Sequence, residues 1–178
     1  MTLPPFRYHP DPIRSGSVVS SDAVCDRCGQ ARGYVYDGPV YVEDDEPTLC
    51  PWCIADGSAH EELDATFVDA EAFPDGTPQA AIEEITERTP GYSAWQEEHW
   101  PACCGDATAY IAPVGIAKIR KEYRQLEGFI LNHIIYNMGI SGGAATRLLQ
   151  SLDRAKGPTA FVFRCPKCET HHFHVDRC

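Results

Sequence analysis

Residues 24–53, VCDRCGQARGYVYDGPVYVEDDEPTLCPWC, carry two cysteine pairs of identical spacing, Cys25 with Cys28 and Cys50 with Cys53. A turn with two intervening residues aims both sulfurs at one metal, and soft thiolates in tetrahedral array suit Zn2+. The 21 residues from Gly29 to Leu49 make a gap slightly longer than that of a usual zinc ribbon. Gly29 fits a tight knuckle turn, and Pro51-Trp52 fills the second pair with a rigid residue and an aromatic shield. Between the pairs, GYVYDGPVYVEDDE alternates apolar and polar residues around Asp37-Gly38-Pro39, which predicts a hairpin. Buried free thiols are the plain alternative. A redox role for Cys-Pro-Trp-Cys would want one lone pair between a strand and a helix, so the second pair favours metal.

A third pair, Cys165 and Cys168, lies near the C-terminus and needs two more ligands. Cys103, Cys104, His171, His172 and His174 compete for those places. Adjacent residues of an extended chain point to opposite sides, so Cys103 and Cys104 reach one metal together only if the backbone turns sharply, which Gly105 permits. The favoured set is Cys104, Cys165 and Cys168 with Cys103 or a histidine as fourth ligand. One zinc is expected at the first four cysteines, and a second is open at this later set. Three protein ligands and a water would instead make a hydrolytic or deaminase-like centre, with Glu169 or Asp176 as base. His133 reads as a core histidine and Cys178 as a loose thiol.

Around these motifs, the proline-rich LPPFRYHPDPIRSG predicts an extended segment lying on the core through Phe6 and Tyr8. After Cys53, IADGSAHEELDATF suggests a short helix. Residues 79–88 predict a second, with Ile82 and Ile85 on its apolar side. Gly115 to Asn137 predict one long helix, its core stripe formed by Ile116, Ile119, Tyr123, Leu126, Phe129, Ile130, His133 and Ile134. Ser141 is positioned to cap a further helix through Leu152, and TAFVFRC with HHFHVD reads as a terminal hairpin. The expectation is an α+β fold, with small zinc-ribbon-like hairpins packed on a helical region in one compact domain. Its subregions are a ribbon-like module over 20–65, a helical part over 79–157 and the hairpin over 158–178.

The composition, 43% hydrophobic and 23% charged, supports a packed core and excludes general disorder. The apolar run Gly128 to Ile140 is interrupted by Asn132, His133 and Asn137 and is shorter than the roughly 18 residues of a membrane span. The N-terminus lacks the apolar core of a secretory signal, which suggests the cytoplasm, where nine cysteines point to metal before disulfides. Net charge is -11, and residues 43–98 hold 16 carboxylates against Arg88 alone. That balance opposes binding to nucleic acid or anionic membrane and favours a basic protein partner. No phosphate-binding loop, nucleophile elbow or HExxH helix is present.

Five blocks together resemble the CbrC family: LPPFRYHPDPI at 3–13, VCDRCGQARGYVYDGPVY at 24–41, LCPWCIADGSAHEEL at 49–63, CCGD at 103–106 and FRCPKC at 163–168. The resemblance implies metal binding at Cys25, Cys28, Cys50 and Cys53. One member of that family is named for tolerance to a DNase colicin, so it also implies an immunity-like role in which the acidic chain caps a basic nuclease toxin.

Overall fold

The computed structural model describes residues 2–43 and 45–177. A short helix α1 (Pro12–Ser15) leads into β1 (Val18–Ser20), which pairs antiparallel with β2 (Tyr34–Tyr36). Helices α2 (Pro51–Ala55), α3 (Ser58–Leu63) and α4 (Gln79–Arg88) follow. A hairpin of two-residue strands, β3 (Ala102–Cys103) and β4 (Asp106–Ala107), then runs into β5 (Ala109–Val114). Helices α5 (Ile116–Glu122), α6 (Leu126–Tyr136) and α7 (Gly142–Ser151) precede β6 (Thr159–Arg164) and β7 (His171–Asp176). The last three strands make an antiparallel sheet in the order β5-β6-β7, so the fold is α+β.

The apolar run of β6 has no polar alternation because both of its faces are covered. Ala160 and Val162 join Ile119, Ile130, Ile134 and Leu149 of the three helices. Phe161 and Phe163 point the other way, into an aromatic layer of Tyr8, Tyr92, Trp100 and Tyr110. Within that layer Tyr92 stacks on Tyr110 with ring centroids 4.6 Å apart. β5 serves both layers through a bulge: Tyr110 pairs with Phe163, but Ala112 pairs with Val162, so the extra residue Ile111 reverses which face later side chains meet.

A third cluster surrounds the first cysteines, where Phe6, Tyr36, Leu49, Ile54 and Phe67 pack with Cys25, Cys50 and Cys53. The N-terminal segment crosses all of this as expected, with Phe6 and Tyr8 buried. His9 fastens it. The buried imidazole sits 2.6 Å from the Pro90 carbonyl through Nδ1 and 2.7 Å from the Ser15 hydroxyl through Nε2. A carbonyl only accepts, so Nδ1 carries the proton and the Ser15 hydroxyl donates to Nε2.

Four local expectations change. β2 pairs with β1 instead of folding back at Asp37-Gly38-Pro39; beyond that turn the chain contributes only a bridge from Tyr41 to Thr66. Pro39 has no N–H for a ladder, and the Tyr36 hydroxyl donates to its carbonyl. The segment after Cys53 is two helices, α2 and α3, separated by Asp56 and Gly57, with Gly57 at φ 84°. The 115–137 helix is likewise two, because Tyr123 leaves helical geometry at φ -130°, ψ 38°. Its ring turns inward against His171, with centroids 5.3 Å apart. Periodicity passes through the break since α5 and α6 join one core. On α6, Phe129 is 63% exposed and His133 only half-buried, so neither is core. The helix 79–88 and the terminal hairpin form as read.

Candidate metal centres

Two groups of four cysteines have sulfurs within 4.8 Å of one another: Cys25, Cys28, Cys50 and Cys53, and Cys103, Cys104, Cys165 and Cys168. A tetrahedral ion with metal–sulfur bonds of about 2.3 Å sets its sulfurs about 3.8 Å apart. In the first group Cys25–Cys53 and Cys28–Cys50 are each 3.9 Å and Cys50–Cys53 is 3.6 Å. In the second, Cys103–Cys104 and Cys103–Cys168 are each 3.7 Å. Both donor sets therefore fit a thiophilic metal. Cys178 lies outside the described residues.

Local chain geometry explains the first group. The Gly29 N–H donates to the Cys25 carbonyl at 2.8 Å and the Cys25 N–H to the Gln30 carbonyl at 3.1 Å, closing a knuckle. Cys50 is the N-cap of α2 and Pro51 its first residue, so the helix start presents Cys50 and, one turn on, Cys53. The Cys50 N–H donates to the Cys25 sulfur at 3.3 Å, a bond that stabilises thiolate. Trp52, between Cys50 and Cys53, packs half-buried against their cluster, with the Arg32 guanidinium over its ring 5.5 Å from the centroid. Burial, followed by the bonds from Cys50 and Cys28, holds the Cys53 thiol well above its ordinary range, which a bound cation would reverse.

The second group repeats the knuckle: the Glu169 N–H donates to the Cys165 carbonyl at 3.0 Å and the Cys165 N–H to the Thr170 carbonyl at 2.9 Å. Glu169 stands where Gly29 stands in the first knuckle, at φ 62° against 66°. The adjacent cysteines are resolved by the sharp turn that sequence reasoning required. Cys104 (φ 55°) and Gly105 (φ 66°) are both left-handed and join β3 to β4, the pattern of a two-residue hairpin turn, which swings both sulfurs to one side. Cys103 is thus the fourth member. His171, His172 and His174 fall on β7, outside the group. Neither expected base faces the sulfurs: Glu169 pairs with Arg164, while Asp176 accepts the Trp95 and Gln96 N–H groups at the far end of β7. This group is the more exposed, and the neighbouring Thr170 hydroxyl, first, holds the Cys168 thiol down to about 6.

Asp106 ties the second group to the N-terminal segment. It receives the Tyr8 hydroxyl at 2.8 Å and the Arg7 guanidinium at 2.6 Å, with Lys167 at 3.7 Å. Burial alone would raise its pKa, but these donors and charges keep it below the usual carboxylate value. None of this network was read from the sequence, since Arg7-Tyr8, Asp106 and Lys167 belong to three separate segments that meet only in three dimensions.

Sequence reasoning also missed a cavity of about 630 Å³ lined by Asp37, Tyr41, Asp69, Glu71, Glu97 and Glu98, with no lysine, arginine or histidine in its wall among the described residues. Glu98 accepts the Asp69 N–H at 2.8 Å, and burial pushes its carboxyl up to about 7. Its second oxygen is shielded from solvent and has no hydrogen-bond partner among the described residues. The run of acidic residues was the available signal, but not the folding of Asp37 and Asp69 beside Glu98.

The fold and its two four-cysteine groups define a protein built on zinc-ribbon-like knuckles able to hold metal. The sequence matches the family described as Uncharacterised protein family (UPF0167) over residues 3–177, and the chain belongs to that family. It is similar to UPF0167 protein Mb2317 of Mycobacterium bovis, 41% identical over 98% of this chain and 93% of the relative. It is likewise 40% identical to UPF0167 protein PA1536 of Pseudomonas aeruginosa, over 98% of this chain and 97% of that one. No solved structure matches. The resemblance to the CbrC family is thereby corrected to UPF0167, and the colicin-tolerance role that it implied is withdrawn. Among the described residues no helix is long and apolar enough to cross a membrane.

Proposed function

We propose that this chain is a binding protein in which two structural zinc ions fix the frame and an acidic cavity receives a cationic segment of a basic protein partner. The observation that carries the reading is the cavity itself, whose wall holds five carboxylates, Asp37, Asp69, Glu71, Glu97 and Glu98, and no basic group among the described residues. In a chain of net charge -11 such a pocket attracts lysine or arginine from a distance and pairs with it on contact. Four sulfurs at each centre leave no position for a reacting water, which supports scaffolding over hydrolysis. The zinc would polarise nothing in a reaction; it would neutralise thiolates that the small cores beside it cannot. A cytoplasmic setting, with its reduced thiols, is part of the same reading.

Metal analysis of protein purified without chelator should give two zinc ions per chain. Titration with lysine- and arginine-rich peptides and basic domains at low salt should show binding that weakens as salt rises, and that falls at least tenfold in the Glu97→Gln/Glu98→Gln variant. Undetectable binding at low salt, or binding indifferent to those two changes, would remove the cavity from the reading.

A further inference from the structure

The β5-β6-β7 sheet treats its two edges differently. β5 carries the devices that keep an edge from pairing: a bulge at Ile111, Pro113 near its end, and the Tyr110 N–H already donated to the Tyr8 carbonyl at 2.7 Å. β7, six residues of HHFHVD, has no proline, lysine or bulge. Because the Tyr110 N–H points away from β6, Tyr110 and Phe163 form a pair without mutual hydrogen bonds. Phe163 therefore bonds His172, and by alternation the N–H and C=O groups of His171 and Phe173 face the free edge, while Val175 beyond them is buried.

That edge lies in a groove of about 680 Å³, with α6 on one bank and His99 and Pro101 on the other. On α6, Phe129, His133 and Tyr136 recur at helical spacing along the groove, with Phe129 63% and Tyr136 80% exposed. Among the described residues no Asp, Glu, Lys or Arg lines it, although the chain as a whole is strongly acidic. Two like-charged copies repel each other over most of their surface and least here.

We infer that β7 pairs antiparallel with β7 of a second copy, joining two sheets into one of six strands and bringing the two α6 helices together across the two-fold axis. The arrangement is isologous, so each copy's outward main-chain groups meet the same groups of the other. An aromatic side chain buries roughly 150–250 Å². Phe129 and Tyr136 from both copies thus supply about half of the roughly 1,000 Å² that a specific interface needs, and the strands and groove walls supply the rest.

The test is sedimentation velocity on the zinc-loaded full chain over a wide concentration range, with hydrogen exchange read at β7. The expected mass is twice 19.7 kDa, with the His171 and Phe173 amides protected in the dimer and exchanging on dilution. Phe129→Glu/Tyr136→Glu should give the monomer with unchanged circular dichroism and zinc content, since neither side chain belongs to a core cluster. A chain that remains monomeric at every concentration overturns the inference. So does a dimer unaffected by the double variant, a dimer whose β7 amides gain no protection, or a monomer whose β7 amides become protected only on adding another protein.

Discussion

At the scale of single residues, the second knuckle contains its own weak point. Glu169 holds a left-handed backbone that costs a side-chain-bearing residue about 1–2 kcal/mol, and its ion pair with Arg164 is exposed and returns at most ~1 kcal/mol. Glu169→Gly should therefore stabilise the protein by about 0.5–1 kcal/mol in denaturant titration and slow the loss of one zinc to a chelator. His9 sets a second expectation. Burial lowers its pKa from 6.5 to about 4, so the folded state binds fewer protons than the unfolded state between those values. Stability is full above pH 6.5 and declines as pH falls toward 4, by an amount on the order of 3 kcal/mol. His9→Gln should be less stable at neutral pH yet show a flatter decline over that window, measured as the difference from wild type so that proton-driven zinc loss cancels.

At the scale of elements, Cys50→Ser and Cys165→Ser should each lower zinc content from two ions to one by elemental analysis, with different structural results. Cys50 is the N-cap of α2 and part of the core holding β2's Tyr36, so its loss should expose amides of β1, β2 and α2 while the β5-β6-β7 sheet stays protected in hydrogen exchange. Loss of Cys165 should free the β3–β4 hairpin instead. The cysteine pairs, the helix at 79–88 and the C-terminal hairpin were legible because spacing and periodicity are local signals. The placement of Cys103 beside Cys104 was legible only as a condition, a sharp turn at Gly105, which the chain meets. β1 and β5 were not foreseen: β1 is three residues of a segment with no alternation, and the bulge in β5 erases the period that marks a strand. The break at Tyr123 carries no glycine or proline to announce it.

At the scale of the whole molecule, charge and protonation are coupled through Glu98. Its folded pKa of about 7 lies above the ordinary 4.5, so the folded state binds more protons across that interval, and stability falls as pH rises through it. Glu98→Gln should remove this fall, leaving the variant more stable than wild type at pH 8 and nearly equal to it at pH 4 in thermal unfolding. Binding of a basic peptide to wild type should strengthen over the same rise in pH as the carboxylate ionises, and the variant should lack that dependence. The excess of acid in residues 43–98 was plain in the sequence; its collection into one wall was not, because Asp37 lies outside that run and reaches the cavity through the turn at Gly38.

The two cysteine groups also differ in when they can exist. All four members of the first lie within residues 25–53, whereas the second joins 103 and 104 to 165 and 168. A chain growing from its N-terminus can take up its first ion with most of its length still unmade. The second ion must wait until Cys168 has been made, just before β7 begins, and it then locks the turn between β6 and β7 to the middle of the chain. Scarcity of zinc during synthesis should therefore accumulate molecules loaded at the front and open at the back, which are the ones a quality-control protease would find.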